Sequence, residues 1–133
     1  MKFHEESLDI KTTKKLEVID VTERVEDILR RNDVTRRLVN LCTIHPTAYL
    51  SINEHGEGIW EDFLTSLTRV VPAEGEYQHE QNSYAHIMST IIKPNVSILI
   101  IKGGMKLGQW PSILLIEFAG PRMREVYVTV VVE

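Results

Sequence analysis

The length, composition and charge of the chain place it among single-domain globular proteins. Its 133 residues include 43% apolar and 26% charged side chains, which is typical of globular chains and unlike disordered or collagen-like ones. The length predicts one domain over residues 1–133. Fifteen basic and nineteen acidic side chains give a net charge of −4. This charge disfavours a nucleic-acid partner, because binding to phosphates needs a basic stripe.

Cysteine content and hydropathy indicate the compartment. The single cysteine, Cys42, excludes an intramolecular disulfide and is typical of a reducing compartment. The longest apolar runs are near strand length, so neither a signal peptide nor a membrane-spanning segment is expected. We therefore expect a soluble, cytoplasmic protein without a membrane partner.

The first half of the chain predicts strands around one helix. Alternation of apolar and polar residues indicates strands, whereas Val25, Ile28 and Leu29 have the spacing of one buried helical face. The predicted elements are, in chain order, a strand pair over 3–10 and 16–18, a helix from Asp20 or Thr22 to about Asn32, and strands over 37–44 and 48–52.

The second half predicts two helices followed by three strands. Trp60, Phe63, Leu64 and Leu67 fall on one helical face, the clearest periodic signal in the chain. The predicted elements are helices over 57–71 and from Asn82 or Ser83 to Ile91, then β-branched strands over 96–101, 112–118 and 126–132. Because strands and helices do not alternate regularly, the sequence predicts an α+β fold: an antiparallel-rich β-sandwich with about three helices.

The strand predicted over 126–132 is almost entirely apolar. At an exposed sheet edge, such a strand would pair with other chains. We therefore expect this strand to be covered, either by the chain itself or by a partner subunit.

Three histidines from separate predicted elements are candidate metal ligands. His45 ends an apolar strand, His79 lies in a polar stretch, and His86 lies near the start of the shorter helix. Three imidazoles on one zinc ion leave an open fourth position, which is the arrangement of catalytic zinc sites. The spacing is not a tight metal-binding signature and on its own favours three separate, hydrogen-bonded histidines, with the metal site as the alternative.

Carboxylates and arginines form a second group of candidates. Glu117 interrupts an apolar strand, and a carboxylate buried there needs a partner. Arg122 and Arg124 are two residues apart, so on a strand they would face one side and either pair with Glu117 or hold a phosphate. A surface salt bridge is the alternative for the two arginines. Glu54 and Asp62 are further candidate acid–base groups, with a solvated helix acid as the alternative for Asp62.

A glycine-rich segment over residues 103–110 lacks the Gly-Lys-Ser/Thr ending of a phosphate-binding P-loop. It is predicted to be a turn and loop. Trp110 at its end is either a packing residue or a stacking surface for a ring-shaped ligand.

Short segments spread over residues 45–132 together resemble the YjbQ-like family, and the N-terminal residues are compatible with it. The segments are His45-Pro46-Thr47-Ala48, Leu50-Ser51-Ile52-Asn53-Glu54, Asp62, Tyr77-x-His79, Asn82-x-x-Ala85-His86, Gly103-x4-Gly108-x-Trp110, Glu117 and Gly120-Pro121-Arg122-x-Arg124. Each segment is short, but their order and spacing together are specific.

The resemblance implies an activity and an assembly. Members of the family are described as having secondary thiamine-phosphate synthase activity, in which a metal-assisted transferase joins a pyrimidine diphosphate to a thiazole phosphate. A chain of this kind would be a homotrimer with sites near its subunit interfaces and a small phosphorylated metabolite as substrate. Its divalent metal would be Zn²⁺, or Mg²⁺ with a diphosphate substrate.

The resemblance also implies roles for individual residues. The metal ligands would be His45, His79 and His86; the catalytic groups would be Glu54, Asp62 and Glu117; and the substrate- or anion-binding residues would be Thr47, Asn53, Trp110, Arg122 and Arg124. Two alternatives stay open. One is a non-catalytic homotrimer that binds a metal or a small anion, and the other is a metal-assisted hydrolase or transferase acting on another phosphorylated metabolite.

Overall fold

The computed structural model describes residues 2–32, 37–79, 81–101, 104–107 and 111–132. In these residues the chain forms eight strands and three helices. In chain order they are β1 (Lys2–Lys11), β2 (Glu17–Asp20), α1 (Thr22–Arg31), β3 (Arg37–Thr43), β4 (Ala48–Glu54), α2 (Ile59–Val70), α3 (Ser83–Met88), β5 (Asn95–Ile101), β6 (Gly104–Met105), β7 (Pro111–Glu117) and β8 (Met123–Val132).

The strands form two antiparallel sheets. One sheet has five strands in the order β1-β8-β3-β5-β6, and the other has three in the order β2-β7-β4. Helix α1 contributes to the core between the sheets, whereas α2 and α3 pack on the other face of the three-stranded sheet. The predicted α+β sandwich with three helices is confirmed.

Strand β7 is buried on both faces. Ile113 and Leu115 point into the core between the two sheets, whereas Leu114 and Ile116 point into the core beneath α2 and α3. Because successive side chains of a strand face opposite sides, a strand covered on both sides is apolar throughout. This arrangement places Glu117, the last residue of β7, in the interior.

Helix α2 is covered less completely than the strands. Its apolar side, which includes Trp60, Phe63 and Leu67, packs against the three-stranded sheet. No residue of α2 is fully buried, however. The helix thus leaves part of its apolar side accessible in a single chain.

No helix in the described residues is long and apolar enough to span a membrane.

Two strands that the sequence predicts as a pair lie in different sheets. β1 pairs with β8 along its whole length, and β2 pairs with β7. The predicted pairing of residues 3–10 with 16–18 is therefore wrong. Thr12 N donates to Arg122 O (2.9 Å), which continues the β1–β8 ladder by one residue before the chain crosses to the second sheet.

Strand β8 has a neighbour on each side. It pairs with β1 and with β3, so this chain itself satisfies the backbone groups of the apolar strand. The edge argument for a partner subunit therefore does not apply to β8.

The outer face of the five-stranded sheet carries a row of apolar side chains. Phe3 lies opposite Val131, and Leu38 lies opposite both Val131 and Leu99. Phe3 is 64% exposed, Leu99 55% and Leu38 40%. We call these four residues the outer apolar row. Exposed apolar side chains that lie next to one another are typical of an interaction surface.

Candidate functional site

Two of the three predicted histidine ligands, His79 and His86, lie side by side. Their ring centroids are 5.5 Å apart, and the rings are nearly perpendicular, at 89°. Both side chains are exposed, and neither ring forms a hydrogen bond with the described residues. Each neutral ring therefore keeps one nitrogen lone pair for a ligand.

Two adjoining depressions meet at this histidine pair. Tyr77, His79 and Ser83 line both of them. The smaller, which we call the histidine depression, has a volume of about 490 Å³ and includes His86. The larger, which we call the lysine depression, has a volume of about 770 Å³ and extends to Lys15. Both volumes are typical of small-molecule sites.

The turn before α3 holds the two histidines together. Asn82 has a left-handed backbone conformation with φ of 54°, which asparagine adopts more readily than most residues. Asn82 O accepts a hydrogen bond from His86 N (3.1 Å), and Ser83 Oγ donates to His79 O. These two bonds connect each histidine to the start of α3.

The lysine depression carries charges of both signs. Lys15 Nζ lies 5.3 Å from the ring centroid of Tyr84, a distance typical of a cation–π contact. Lys15 forms no ion pair with the described residues. Glu74 and Glu76 also line the depression, so a ligand there meets one ammonium group and two carboxylates.

Tyr84 connects the lysine depression to the interior. Its side chain is buried, and its hydroxyl donates a hydrogen bond to Phe118 O. Burial raises the pKa of Tyr84, and the nearby Glu117 carboxylate raises it further. The phenol is therefore neutral at physiological pH and acts as a donor.

Glu117 and Arg124 form a buried ion pair close to Tyr84. Glu117 is 0% exposed to solvent and Arg124 is 1% exposed. Arg124 Nε donates to Glu117 Oε1 (2.8 Å), and Arg124 Nη2 donates to Glu117 Oε2. Thr12 Oγ1 donates to Oε1 (2.7 Å), and Ala119 N donates to Oε2 (3.2 Å). The carboxylate thus receives the hydrogen bonds that a buried charge requires.

Arg122 and Arg124 have different surroundings. Arg124 Nη2 also donates to Thr47 Oγ1 (2.8 Å) and lies 3.3 Å from Thr47 O. The Arg122 side chain is exposed, and among the described residues Arg122 forms hydrogen bonds only through its backbone, to Thr12. The two guanidinium groups do not form the same-face fork that their spacing predicts. The reason is that β8 begins at Met123 and leaves Arg122 outside the strand.

His45 lies beside the buried ion pair and lines neither depression. Its Nε2 accepts a hydrogen bond from Glu125 N (3.2 Å). Partial burial lowers the pKa of His45, and the positive charge of Arg124 lowers it further, so the neutral ring is favoured. With Nε2 accepting a bond and Nδ1 carrying the proton, this ring has no free lone pair for a metal ion in this arrangement.

The described residues contain no group of three His, Cys, Asp or Glu side chains placed to hold a metal ion. The described part of one chain therefore brings together two of the predicted histidine ligands, His79 and His86. A catalytic zinc site takes three protein ligands. A third ligand would have to come from outside the described residues or from a second chain.

Asn53 and Asp62 line a third cavity, between β4 and α2, which we call the α2 cavity. Glu54 is exposed at the end of β4, and its backbone N donates to Asn53 Oδ1 (2.8 Å). None of these three residues lines the depressions around the histidine pair. Trp110 lies outside the described residues. The individual roles implied for the candidate residues stay predictions.

Sequence reasoning missed Lys15, Tyr49 and Tyr84. Tyr49 is completely buried, and its hydroxyl has no hydrogen-bond partner in the described residues; burial raises its pKa. A tyrosine inside an apolar segment is a signal in itself, because its hydroxyl needs a partner or a function. Lys15 lies in a polar stretch, and no sequence pattern distinguishes it from its neighbours.

A family model settles the classification of the chain. The model described as UPF0047 protein YjbQ-like matches residues 6–133. The chain belongs to the YjbQ-like family. The match includes every candidate residue, from Lys15 to Arg124, and confirms the family that the short segments predict.

Related sequences match the YjbQ-like chain over nearly its whole length. A UPF0047 protein of Archaeoglobus fulgidus is 38% identical over 124 residues, which cover 91% of this chain and 96% of the relative. The UPF0047 protein YugU of Bacillus subtilis is 34% identical over 125 residues, which cover 92% of this chain and 95% of the relative.

Solved structures share the fold. A YbjQ-like protein of unknown function from Sulfolobus solfataricus P2 has a TM-score of 0.95 at 26% identity, and the match covers 99% of each chain. A yjbq/upf0047-family protein of Clostridium acetobutylicum has a TM-score of 0.91 at 34% identity, covering 95% of this chain and 99% of that one. The sandwich of this chain is thus the fold of the YjbQ-like family.

These names correct the predicted activity. The two sequence relatives are called UPF0047 proteins, and the Sulfolobus protein is described as one of unknown function. None of these names describes a thiamine-phosphate synthase. The prediction of that activity is therefore wrong, and the resemblance supports the family and the fold alone.

Proposed function

We propose that the protein binds a divalent transition-metal ion through His79 and His86. The observation that carries this proposal is the geometry of the two exposed rings, whose centroids lie 5.5 Å apart at 89°. Two imidazoles that share one tetrahedral ion, at metal–nitrogen distances of about 2.0–2.1 Å, place their ring centroids roughly 5 Å apart. The pair is therefore close to a chelating arrangement.

The donor atoms favour zinc over magnesium. Imidazole nitrogen is a common ligand of Zn²⁺, whereas Mg²⁺ prefers oxygen. Glu74 and Glu76 line the adjoining depression. Their carboxylates make the electrostatic potential there more negative, which favours the approach of a cation. When bound, a zinc ion supplies Lewis-acid chemistry to a phosphoryl oxygen.

With a metal ion at the histidine pair to offset the charges of Glu74 and Glu76, the lysine depression suits a small phosphorylated metabolite. Lys15 is held against the Tyr84 ring and has no carboxylate partner in the described residues, so its ammonium group is available to a phosphate. Tyr84 is fixed by its bond to Phe118 O and therefore keeps Lys15 over the depression. We propose that the metabolite lies between Lys15 and the histidine pair.

Replacement of either histidine is expected to weaken zinc binding by at least about 100-fold, because loss of a supporting contact alone costs 10–100-fold. Titration calorimetry with zinc alone compares wild type, His79→Ala and His86→Ala. The matched control is His4→Ala, since His4 lies on β1 and lines neither depression.

In a second series with inorganic phosphate, Lys15→Met is expected to weaken phosphate binding and leave zinc binding unchanged.

Two results would contradict the metal proposal: no zinc bound by the wild type, or wild-type affinity in both histidine variants. Because a protonated imidazole cannot coordinate a metal ion, bound zinc is also expected to be released as the pH is lowered.

We propose further that three copies associate through the outer face of the five-stranded sheet. The support is the outer apolar row, in which Phe3 and Leu99 are more than half exposed and would be removed from water by a second copy. Light scattering is expected to give three times the mass of one chain for the wild type and a smaller mass for Leu38→Glu. Ser97→Glu, on the same face one row away, is the control. A monomeric wild type would rule out this assembly.

A further inference from the structure

We propose that the α2 cavity is a second ligand site and that it binds a small amphipathic amine. The cavity lies between β4 and α2 and has a volume of about 440 Å³, within the range of small-molecule sites. It shares no lining residue with the histidine depression or the lysine depression. The proposal is therefore independent of the proposed metal ion.

The polar part of the lining comes from two elements. Ser51 and Asn53 are two residues apart on β4, so they lie on one face of the strand. Asp62 and Ser66 are four residues apart on α2, so they lie on one side of the helix. A strand face and a helix side thus present four polar side chains to the same space.

The chain itself makes little use of these polar groups. The Asp62 carboxylate and the Ser51 and Ser66 hydroxyls form no hydrogen bond or ion pair with the described residues. Asn53 Oδ1 accepts a bond from Glu54 N (2.8 Å), whereas the side-chain N–H groups of Asn53 form no hydrogen bond with the described part of the chain. One carboxylate, two hydroxyls and one amide are therefore available to a ligand.

The charge of the lining selects a cation. Asp62 is the one ionisable side chain among the residues that line the described cavity, and no Lys, Arg or His lines it. An ammonium group donates a charge-assisted hydrogen bond to a carboxylate, and its other protons can bind hydroxyl oxygens. An anion of the same size would be repelled by Asp62.

The apolar part of the lining selects a ligand with a hydrophobic body. Phe63 and Leu67 lie one turn apart on α2 and line the cavity, and neither is fully buried. An aromatic or branched aliphatic group placed against them would remove their remaining surface from water. The ligand therefore combines one ammonium group with an apolar body.

Three indoles of similar size and different charge test this proposal: tryptamine, which is a cation, tryptophol, which is neutral, and indole-3-acetate, which is an anion. Each is titrated into the full chain and followed by the amide resonances of the protein. We expect tryptamine to bind about tenfold more tightly than tryptophol, since one charge-assisted hydrogen bond separates them. Indole-3-acetate is expected to bind more weakly than either.

Asp62→Asn is expected to abolish the preference for tryptamine over tryptophol. Glu61→Gln is the matched control, because Glu61 is an exposed carboxylate next to Asp62 that does not line the cavity. Ser66→Leu fills part of the α2 cavity and keeps the Asp62 carboxylate. It is expected to weaken the binding of tryptamine and of tryptophol to the same extent. Circular dichroism checks that each variant is folded.

Several results would overturn the proposal. They are no binding of tryptamine, equal binding of tryptamine and tryptophol by the wild type, a preference that survives in Asp62→Asn, or resonance changes confined to residues outside the α2 cavity. Unchanged tryptamine binding in His79→Ala separates this site from the proposed metal site, so the two proposals can fail independently.

Discussion

Substitution of Arg124 by methionine is expected to lower the free energy of unfolding by about 3–5 kcal/mol, because it leaves a carboxylate buried without its counter-charge. Glu117 is completely buried and receives two hydrogen bonds from Arg124. Methionine fills a similar volume but donates no hydrogen bond. Urea denaturation at a fixed protein concentration measures the change.

The matched control is Arg122→Met. It removes the same charge two residues earlier, where the side chain is exposed and forms no hydrogen bond with the described residues. The substitution is expected to change the free energy of unfolding by no more than about 0.5 kcal/mol. The double variant Glu117→Leu with Arg124→Met buries no charge and is expected to recover part of the loss. If Arg124→Met were as mild as the control, Glu117 would not depend on Arg124.

The elements with strong local patterns could be predicted from the sequence. The predicted helix over 57–71 is the observed Ile59–Val70, and the helix predicted to end near Asn32 ends at Arg31. Both have apolar residues at helical spacing and clear end signals, and such signals act within a few residues. The predicted helix end at Ile91 is less accurate, because α3 ends at Met88 and continues as turns.

The pairing of strands could not be predicted in the same way. The N-terminal strands, β1 and β2, are close in sequence, but both pair with distant strands. Lys2 of β1 pairs with Val132 of β8, and Glu17 of β2 pairs with Glu117 of β7. The alternation of apolar and polar residues indicates that each segment is a strand with one buried face. A strand has such a face in either sheet, so the alternation does not identify its partner. Partner choice depends on packing between distant segments, and no local pattern encodes it.

The candidate site was predictable to a similar extent. The apolar neighbours of Glu117 indicate that its carboxylate needs a partner, and the structure supplies Arg124. His79 and His86 flank one turn, so their proximity follows from local structure. The position of His45 depends instead on the packing of β3, β4 and β8, which places its ring against Glu125 N. The spacing of the histidines in the sequence therefore does not predict how far His45 lies from His79 and His86.

Substitution of Gly120 by alanine is expected to lower the free energy of unfolding by about 3 kcal/mol, the upper part of the usual range for overpacking. A Cβ atom at this position would lie 2.3 Å from Lys14 O, 2.8 Å from Thr12 Oγ1 and 2.9 Å from Glu117 Cγ. The backbone cannot easily shift, because Gly120 N donates to Lys15 O (3.1 Å). Urea denaturation measures the loss.

The matched control for this prediction is Gly104→Ala in β6, where the nearest atom to an added Cβ, Ile101 O, is 3.9 Å away. Both variants add one methyl group and remove the same backbone freedom from the unfolded chain, so their difference isolates the clash around Gly120. Because the added methyl group would displace Lys14 O, and Gly120 N donates to Lys15 O, Gly120→Ala is also expected to shift Lys15 and weaken phosphate binding there. Equal stability of the two alanine variants would show that the segment before β2 moves freely enough to accept the methyl group.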